Sequence, residues 1–241
     1  MRKAAALVIG NELLSGKVAE ANLFVLAREL RQLGVQLRRV VMILDEIDVI
    51  AEEVRGLSSS HDVLFTSGGV GPTHDDLTIE GVAKAFGVGL TVSPELDQMI
   101  RAAYGDRLTD GHLLMARIPE GARLVTTPDV PWPTVVMRNV WVIPGVPEVF
   151  QMKIAHVRSE LRGDAPFISL AVHTNLDEGH IKDLLDRVVA AHPDVDIGSY
   201  PKWRDPDYKT KLTFDGTDEA RVRAARDAFE SGLPPEAIVR L

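Results

Sequence analysis

His61-Asp62-Val63-Leu64-Phe65-Thr66-Ser67-Gly68-Gly69-Val70-Gly71-Pro72-Thr73-His74-Asp75-Asp76-Leu77-Thr78 is the stretch whose reading decides the fold. Its apolar run stops at three glycines in four positions, meets a proline and two adjacent carboxylates, and passes into a helical pattern at Thr78-Ile79-Glu80-Gly81-Val82-Ala83. A buried strand, a glycine turn and a helix in that order form the repeating unit of a parallel sheet. Glycines at the end of such a strand permit positive φ and let a ligand reach N–H groups that a Cβ would shield, so Gly68, Gly69 and Gly71 are candidates for an anion cradle. Amides converging before a helix favour phosphate or a similar oxyanion, and Thr73 and Thr78 can add hydroxyl donors.

Asp75 and Asp76 would repel a bare anion. A divalent cation between acid and phosphate removes that conflict, because hard oxygen ligands suit Mg²⁺-like ions that also hold phosphate. The competing reading is that one of the two acids caps the helix beginning near Thr78, which leaves the other unexplained.

Outward from this loop the first half of the chain alternates strand and helix. Strands are expected at residues 4–9, 35–44 and 63–66, and helices at 21–33, 46–57 and 79–86. Leu23, Phe24, Leu26, Ala27, Leu30 and Leu33 share one face of the first helix, and Gly34 stops it. Continuous apolar strands alternating with amphipathic helices imply an α/β fold with a mainly parallel sheet covered on both faces, whose ligands bind at the carboxyl ends of the strands. Residues 94–104 and 111–116 are short helical candidates, and Pro128, Pro131 and Pro133 suggest an extended connection. A tight hairpin through Arg138-Asn139 should join strands at 134–137 and 140–143, followed by Pro144-Gly145-Val146-Pro147-Glu148 and a helix over 147–161. That second glycine turn repeats the design of the first and is a candidate second wall of one pocket.

Arg162-Gly163-Asp164-Ala165-Pro166 reads as a linker between two domains, residues 1–163 and 167–241. The remainder has the order βαββαβ, which fits a small α+β sandwich of ferredoxin-like type and specifies no function.

Composition narrows the chemistry. With 241 residues, 45% hydrophobic and 26% charged, the chain can bury a real core and is far from the balance of disordered sequences. No apolar run reaches the ~20 residues of a membrane span. The run Ala4-Ala5-Ala6-Leu7-Val8-Ile9 after Arg2-Lys3 lacks the pattern of a signal peptide, so a cytoplasmic location is expected. The 27 basic and 35 acidic residues give a net charge of −8, which disfavours nucleic acid and anionic membrane as partners. Absence of cysteine removes disulfides, thiolate nucleophiles and Cys-ligated metal. The seven histidines form no His-x-x-x-His pair. Gly-x-Ser-x-Gly, the Walker pattern and Gly-x-Gly-x-x-Gly after the first strand are absent, so covalent serine catalysis and P-loop hydrolysis recede.

Two further turns lie at the same sheet edge. Gly10-Asn11-Glu12-Leu13-Leu14-Ser15-Gly16 suits a loop around a polar ligand, against the plainer reading of a turn with Asn11 left-handed. Asp45-Glu46 follows the second strand. Glu46 suits the first turn of a helix, so Asp45 is the functional candidate, with capping its competitor. His74 is open to a role as ligand or general acid, or to plain solvation. Tyr200-Pro201-Lys202-Trp203 with Tyr208 offers either a stacking surface or a hairpin packed on its own sheet. Lys17, Lys84, Arg117 and Arg138 are phosphate partners among which spacing does not choose.

Taken in order, the motifs at Gly10 to Gly16, Asp45-Glu46, Ser67 to Thr78 and Pro144 to Glu148 resemble the molybdopterin-binding-like domain of the MoaB, Mog and CinA group. The likeness is greatest to the CinA N-terminal region and to the N-terminal domain of eukaryotic FAD synthetases, which carry the Gly-Gly-x-Gly-Pro-Thr-x-Asp-Asp form and a Gly-Ser-Tyr-Pro-x-Trp stretch, here residues 198–203. It covers nearly the whole chain. The resemblance implies a three-layer αβα sandwich, a pocket for molybdopterin or its adenylated form in the Mog branch, and Mg²⁺-assisted adenylyl transfer there through carboxylates matching Asp45 and Asp76. In the CinA and FAD synthetase branch it implies metal-dependent hydrolysis of nucleotide diphosphates such as ADP-ribose or FAD. The sequence departs from Mog-like chains at Val70, where Thr is usual, and at Asp75, where Arg is usual. The second change shifts that spot by two charges and argues for a metal in place of an anion contact. The amidase-like region of full CinA and the nucleotidyl-transferase region of FAD synthetase are not in the sequence, so neither activity is expected.

The expectation is therefore a metal-dependent pyrophosphatase acting on a nucleotide diphosphate, with molybdopterin binding or adenylyl transfer without hydrolysis as the alternative. In it Asp45, Asp75 and Asp76 hold a divalent metal (Mg, Mn or Co). Gly10, Asn11, Glu12, Gly68, Gly69, Gly71, Pro72, Thr73, Thr78, Pro144, Gly145, Pro147 and Glu148 contact the phosphate-bearing nucleotide or pterin, and Glu12 or Glu148 also orients water. The family often forms dimers or trimers, so a homo-oligomer is expected.

Overall fold

The computed structural model of the chain describes residues 2–161, 163, 165–204 and 206–240. It divides into two compact units, residues 1–164 and 165–241. Of the expected linker, Arg162 and Asp164 lie outside the described residues.

In the first unit, β1 (Arg2–Ile9), β2 (Val35–Ile43), β3 (Val63–Ser67) and β8 (Val140–Ile143) run parallel. Two antiparallel strands, β7 (Val130–Met137) and β6 (Arg123–Thr127), complete a six-stranded sheet of order β2-β1-β3-β8-β7-β6. Strand side chains alternate between two cores. Ala4, Ala6, Phe65, Trp141 and Ile143 meet Leu26 and Leu30 of α2 (Asn22–Gln32) and Phe150, Ile154 and Val157 of α7 (Pro147–Glu160). Ala5, Leu7, Ile9, Leu64, Val140 and Val142 face the other way, onto Ile50, Val54 and Leu57 of α3 (Ile47–Ser60) and Val82 of α4 (Thr78–Phe86). Burying both faces of a strand explains why its sequence is a continuous apolar run, each large side chain contributing about 1.5–3 kcal/mol. The result is the α/β three-layer sandwich.

Several elements differ from expectation. Phe24 is 73% exposed, because Asn22 and Glu29 occupy buried positions of α2 instead. A short α1 (Asn11–Leu14) follows β1. Residues 90–119 form a side layer: β4 (Leu90–Val92) pairs with β5 (Arg117–Pro119), and α5 (Pro94–Tyr104) and α6 (Asp110–Leu114) close over a small core of Leu96, Ile100, Ala116 and Ile118. The Pro-rich connection is largely strand. Pro131 and Pro133 lie in β7, where its register with β6 shifts between Val125 and Thr127, and an irregular ladder tolerates a residue without N–H. The hairpin at Arg138-Asn139 is present, with Arg138 at φ 53°.

The second unit has β9 (Ile168–Thr174), α8 (Glu178–Ala191), β10 (Asp196–Pro201), β11 (Thr210–Gly216), α9 (Glu219–Ser231) and β12 (Ile238–Val239). Its antiparallel sheet has the order β10-β11-β9-β12 over a core that includes Val172, Leu212, Phe214 and Phe229. Trp203 is 94% exposed and does not pack on this sheet, while Tyr208 lies edge-on to His173 with ring centres 4.7 Å apart.

Candidate active site

The turns after β1, β2, β3 and β8 meet at the carboxyl edge of the parallel strands, as the topology requires. Gly68 and Gly69 have φ of 107° and 61°. A Cβ on Gly68 would lie 2.0 Å from the Ile9 carbonyl oxygen, and one on Gly145 would lie 3.0 Å from the Gly68 Cα, so the two glycine turns touch backbone to backbone. Gly68 N–H donates to the Ile143 carbonyl at 3.2 Å. Thr78, fully buried, donates its hydroxyl to the Gly68 carbonyl at 2.8 Å, and its N–H bonds Gly69. The expected role of Thr78 as a ligand donor is therefore corrected: its hydroxyl ties the turn to the first residue of α4.

Thr73 is likewise engaged within the protein. Its N–H and hydroxyl donate to Asp76 Oδ2 at 2.7 and 2.6 Å, and the same hydroxyl is 2.6 Å from Asp75 Oδ1. The hydroxyl holds the Asp75 carboxyl below its usual range, with exposed His74 3.8 Å away. Among the described residues, the backbone N–H groups of Gly69, Val70 and Gly71 have no protein acceptor. Three donors without acceptors on consecutive residues are what an oxyanion takes.

The carboxylates pack against the glycines. A Cβ on Gly10 would meet Glu12, one on Gly71 would meet Asp76, and one on Gly69 would come within 3.4 Å of Asp45. Asp45 accepts the Asn11 N–H at 2.8 Å, and Asn11 Oδ1 accepts the Asp45 N–H at 3.3 Å. Burial pushes the Asp45 carboxyl up, the Asn11 N–H pulls it down, and repulsion from Glu12, Asp75 and Asp76 adds to the rise.

The triad Asp45, Asp75 and Asp76 is not a preformed metal cage. Among the described residues no three His, Asp or Glu side chains are placed to hold one ion. The reason is local: Asp75 and Asp76 turn onto Thr73, and Asp45 onto Asn11. Mg²⁺ is commonly held by one or two carboxylates plus ligand phosphates, so these residues fit an ion that arrives with phosphate.

Two recesses flank the loop. One of about 330 Å³ includes Gly71, Thr73, Asp76 and Pro144 in its lining and is otherwise largely apolar. The other, about 320 Å³, is lined by Glu12, Gly68, Gly69, Asp76, Gly145 and Pro147 together with Asn22 and Ser67. Val70 and Asp76 line both, so the loop is a partition between them. Gly10, Asn11, Asp45, Pro72, Asp75 and Thr78 support the turns without lining either recess, and Glu148 is an exposed residue in the first turn of α7.

Residues 5–162 match the family described as probable molybdopterin binding domain. The chain belongs to that molybdopterin-binding family. Residues 166–241 match the middle domain of FAD synthase. A protein of Archaeoglobus fulgidus is 33% identical over 225 residues, covering 93% of this chain and 95% of its own length. A probable FAD synthase of Caenorhabditis elegans is 32% identical over 257 residues, and the match covers 94% of this chain but 50% of that protein. The chain thus spans half the length of that relative. A solved structure of the protein CinA with unknown function from Thermoplasma acidophilum is 31% identical with a TM-score of 0.61, covering 67% of this chain and 100% of that one.

In this member of the molybdopterin-binding family two site residues escape sequence reading. Asn22, 5% exposed, donates to Ser67 Oγ at 3.0 Å and to the Gly145 carbonyl at 2.8 Å, which staples the two glycine turns together. Glu20 accepts the N–H groups of Asn22 and Leu23 at 2.8 and 2.9 Å and so holds the start of α2. A polar residue at the head of an amphipathic pattern was the available signal. The second is Lys153, 1% exposed on α7, which lines the apolar recess and donates to the carbonyls of Trp132 and Pro133. Burial lowers its ammonium to a pKa of about 8. Nearby His156, also pushed down by burial, donates Nε2–H to the Val130 carbonyl and accepts the Thr134 hydroxyl at Nδ1, each at 2.8 Å, which fixes its neutral tautomer.

Proposed function

We propose that the protein is a divalent-metal-dependent pyrophosphatase acting on a nucleotide diphosphate such as FAD or ADP-ribose. One observation carries the reading: three unengaged N–H groups at Gly69, Val70 and Gly71 sit between two recesses and beside mutually repelling carboxylates. A pyrophosphate bound there would place its two substituents on opposite sides of the loop. The N–H groups bind the phosphoryl oxygens and meet charge that grows as a P–O bond breaks. Asp76, which borders both recesses, and Asp45 hold the divalent ion, and Thr73 keeps the Asp76 carboxylate oriented. When bound, the ion supplies Lewis acidity and neutralises the pyrophosphate charge. Glu12, in the lining of the second recess, orients the attacking water.

A second reading, molybdopterin binding without hydrolysis, is favoured by the family match over residues 5–162. The deciding experiment incubates the protein with FAD, ADP-ribose and related dinucleotides, with Mg²⁺, Mn²⁺ or Co²⁺ and an EDTA control, and looks for mononucleotide products. Metal-dependent products are expected, and folded Asp76→Ala should lose at least about a hundredfold in turnover. Full activity of Asp76→Ala overturns the metal assignment. No turnover with any metal, alongside tight binding of molybdopterin, replaces the hydrolase reading with the second.

A further inference from the structure

Strand β2 lies at one end of the six-stranded sheet, so among the described residues its outer edge pairs with no strand. Long open edges are normally blunted by proline, lysine or a bulge, because a row of free N–H and C=O groups recruits another chain. β2 has nine residues and neither proline nor lysine. Its one irregularity, the register shift against β1 that leaves Arg38 over, precedes the regular stretch from Arg39 to Ile43. On that stretch Val41 and Ile43 pack into the core, whereas Val40, Met42 and the following Leu44 are 40, 36 and 40% exposed. Arg38, Arg39 and Glu46 are also exposed and make no ion pair among the described residues. The direction of the backbone groups follows from one bond. The Ile43 carbonyl accepts the Gly10 N–H at 3.1 Å, so Ile43 faces β1, and by alternation Val40, Met42 and Leu44 turn their N–H and C=O groups outward.

We propose that β2 pairs antiparallel with β2 of a second copy about a two-fold axis at Met42, so that the sheet continues through both subunits. In that register Met42 faces Met42 of the partner subunit, Val40 faces the partner's Leu44, and the outward groups of both copies form hydrogen-bonded pairs. The exposed apolar side chains then cover one another across the axis. The same register sets Arg39 and Arg38 opposite the partner's Asp45 and the partner's Glu46. Moving the axis by one residue keeps outward groups paired but loses the match. An axis at Val41 sets Arg39 against Ile43 and Arg38 against Leu44, and an axis at Ile43 sets Val41 against Asp45 and Val40 against Glu46. Charge and apolar complementarity therefore select Met42, and a second copy of the chain is the occupant that supplies both. The pairing also reaches the candidate site. Asp45 is repelled there by Glu12, Asp75 and Asp76, and the partner's Arg39 brings a guanidinium to the turn that carries it. Each site thus borrows a basic residue from the other copy.

The test reads mass and cross-linking, without ligand or metal. Sedimentation of the full chain at about 50 µM should give a dimer, since association follows protein concentration. Met42→Lys sets two ammonium groups face to face on the axis and should give a folded monomer. The chain contains no cysteine, so each introduced thiol is unique. A hydrogen-bonded antiparallel pair has Cα atoms about 5.5 Å apart, inside the ~4.4–6.8 Å span of a disulfide. On mild oxidation Met42→Cys should therefore cross-link to twice the chain mass. Val40→Cys and Leu44→Cys, each about 13 Å from its own copy, should cross-link only when the two variants are mixed. A monomeric or trimeric wild type overturns the proposal, and so does a Met42→Lys protein that remains dimeric. Should Met42→Lys fail to fold, the three cysteine variants decide: Leu44→Cys cross-linking alone as readily as Met42→Cys, or no cross-link in any of them, overturns the pairing. None of these measurements reads turnover, so the dimer can fail while the pyrophosphatase reading stands, and the reverse.

Discussion

At the scale of single residues, the site depends on positions where a side chain would collide and on one position where a charge is trapped. Gly68→Ala places a methyl 2.0 Å from the Ile9 carbonyl oxygen at a φ of 107°, a combination that backbone movement alone can relieve. It should cost about 3 kcal/mol or more in urea unfolding, and a variant as stable as wild type would show that the turn is not held as described. Lys153 carries a different signature. Its pKa is about 8 in the folded chain against the ordinary 10.5, so between those values the unfolded chain binds more protons than the native one. The desolvation penalty is complete below pH 8 and is relieved as pH rises toward 10.5. Relative to Lys153→Met, the wild-type unfolding free energy should therefore increase by about 2 kcal/mol between pH 8 and pH 10. Denaturation of both proteins at the two pH values checks this, and a constant difference between them contradicts it.

At the scale of elements, α2 and α7 lie on the same face of the sheet and are joined by a polar tie through their own interface. Glu29 of α2, 4% exposed, receives Arg158 of α7 at 2.7 and 2.8 Å from two guanidinium nitrogens. Arg158→Ala leaves a buried carboxylate without its cation and should destabilise the chain by about 2–4 kcal/mol, whereas the double change Glu29→Gln with Arg158→Ala should recover part of that loss. Thermal melts of the three proteins give the result; an Arg158→Ala melt equal to wild type refutes the tie. The same pair explains what was legible in the sequence. Strands buried on both faces announce themselves as apolar runs, so β1, β3 and β8 and the turns that follow them could be read directly. In helix α2 the apolar pattern misplaces Phe24, because the buried face holds Asn22 and Glu29, whose partners Ser67, Gly145 and Arg158 come from elements far along the chain. Strands β4 and β5, three residues each, are too short to show a period, β6 buries only Val125 and so carries no apolar run, and the prolines of β7 mask a strand whose irregular register accommodates them. In the site, glycines and carboxylates could be named from type and order, but the inward turn of Thr78, the engagement of Thr73 by Asp76 and the burial of Lys153 depend on tertiary packing.

At the scale of the whole molecule, each unit has its own core. The sandwich is filled by the two layers on either side of its sheet and by the small side layer, while Val172, Leu212, Phe214, Phe229 and their neighbours fill the second unit separately. Among the described residues, those lining the two recesses beside the glycine loop all fall within residues 1–164. A fragment of residues 1–164 should consequently fold with a cooperative transition and retain pyrophosphate binding. The second unit, residues 165–241, falls below the ~80 residues at which one core supplies more than about 3–5 kcal/mol, so as a separate fragment it should melt at a lower temperature than the first. Calorimetric scans of the two fragments and pyrophosphate titrations of the larger one measure these outcomes. If the 1–164 fragment folds cooperatively yet does not bind pyrophosphate while the full chain does, the second unit contributes to binding, and the recesses beside Gly69, Val70 and Gly71 are not sufficient for it.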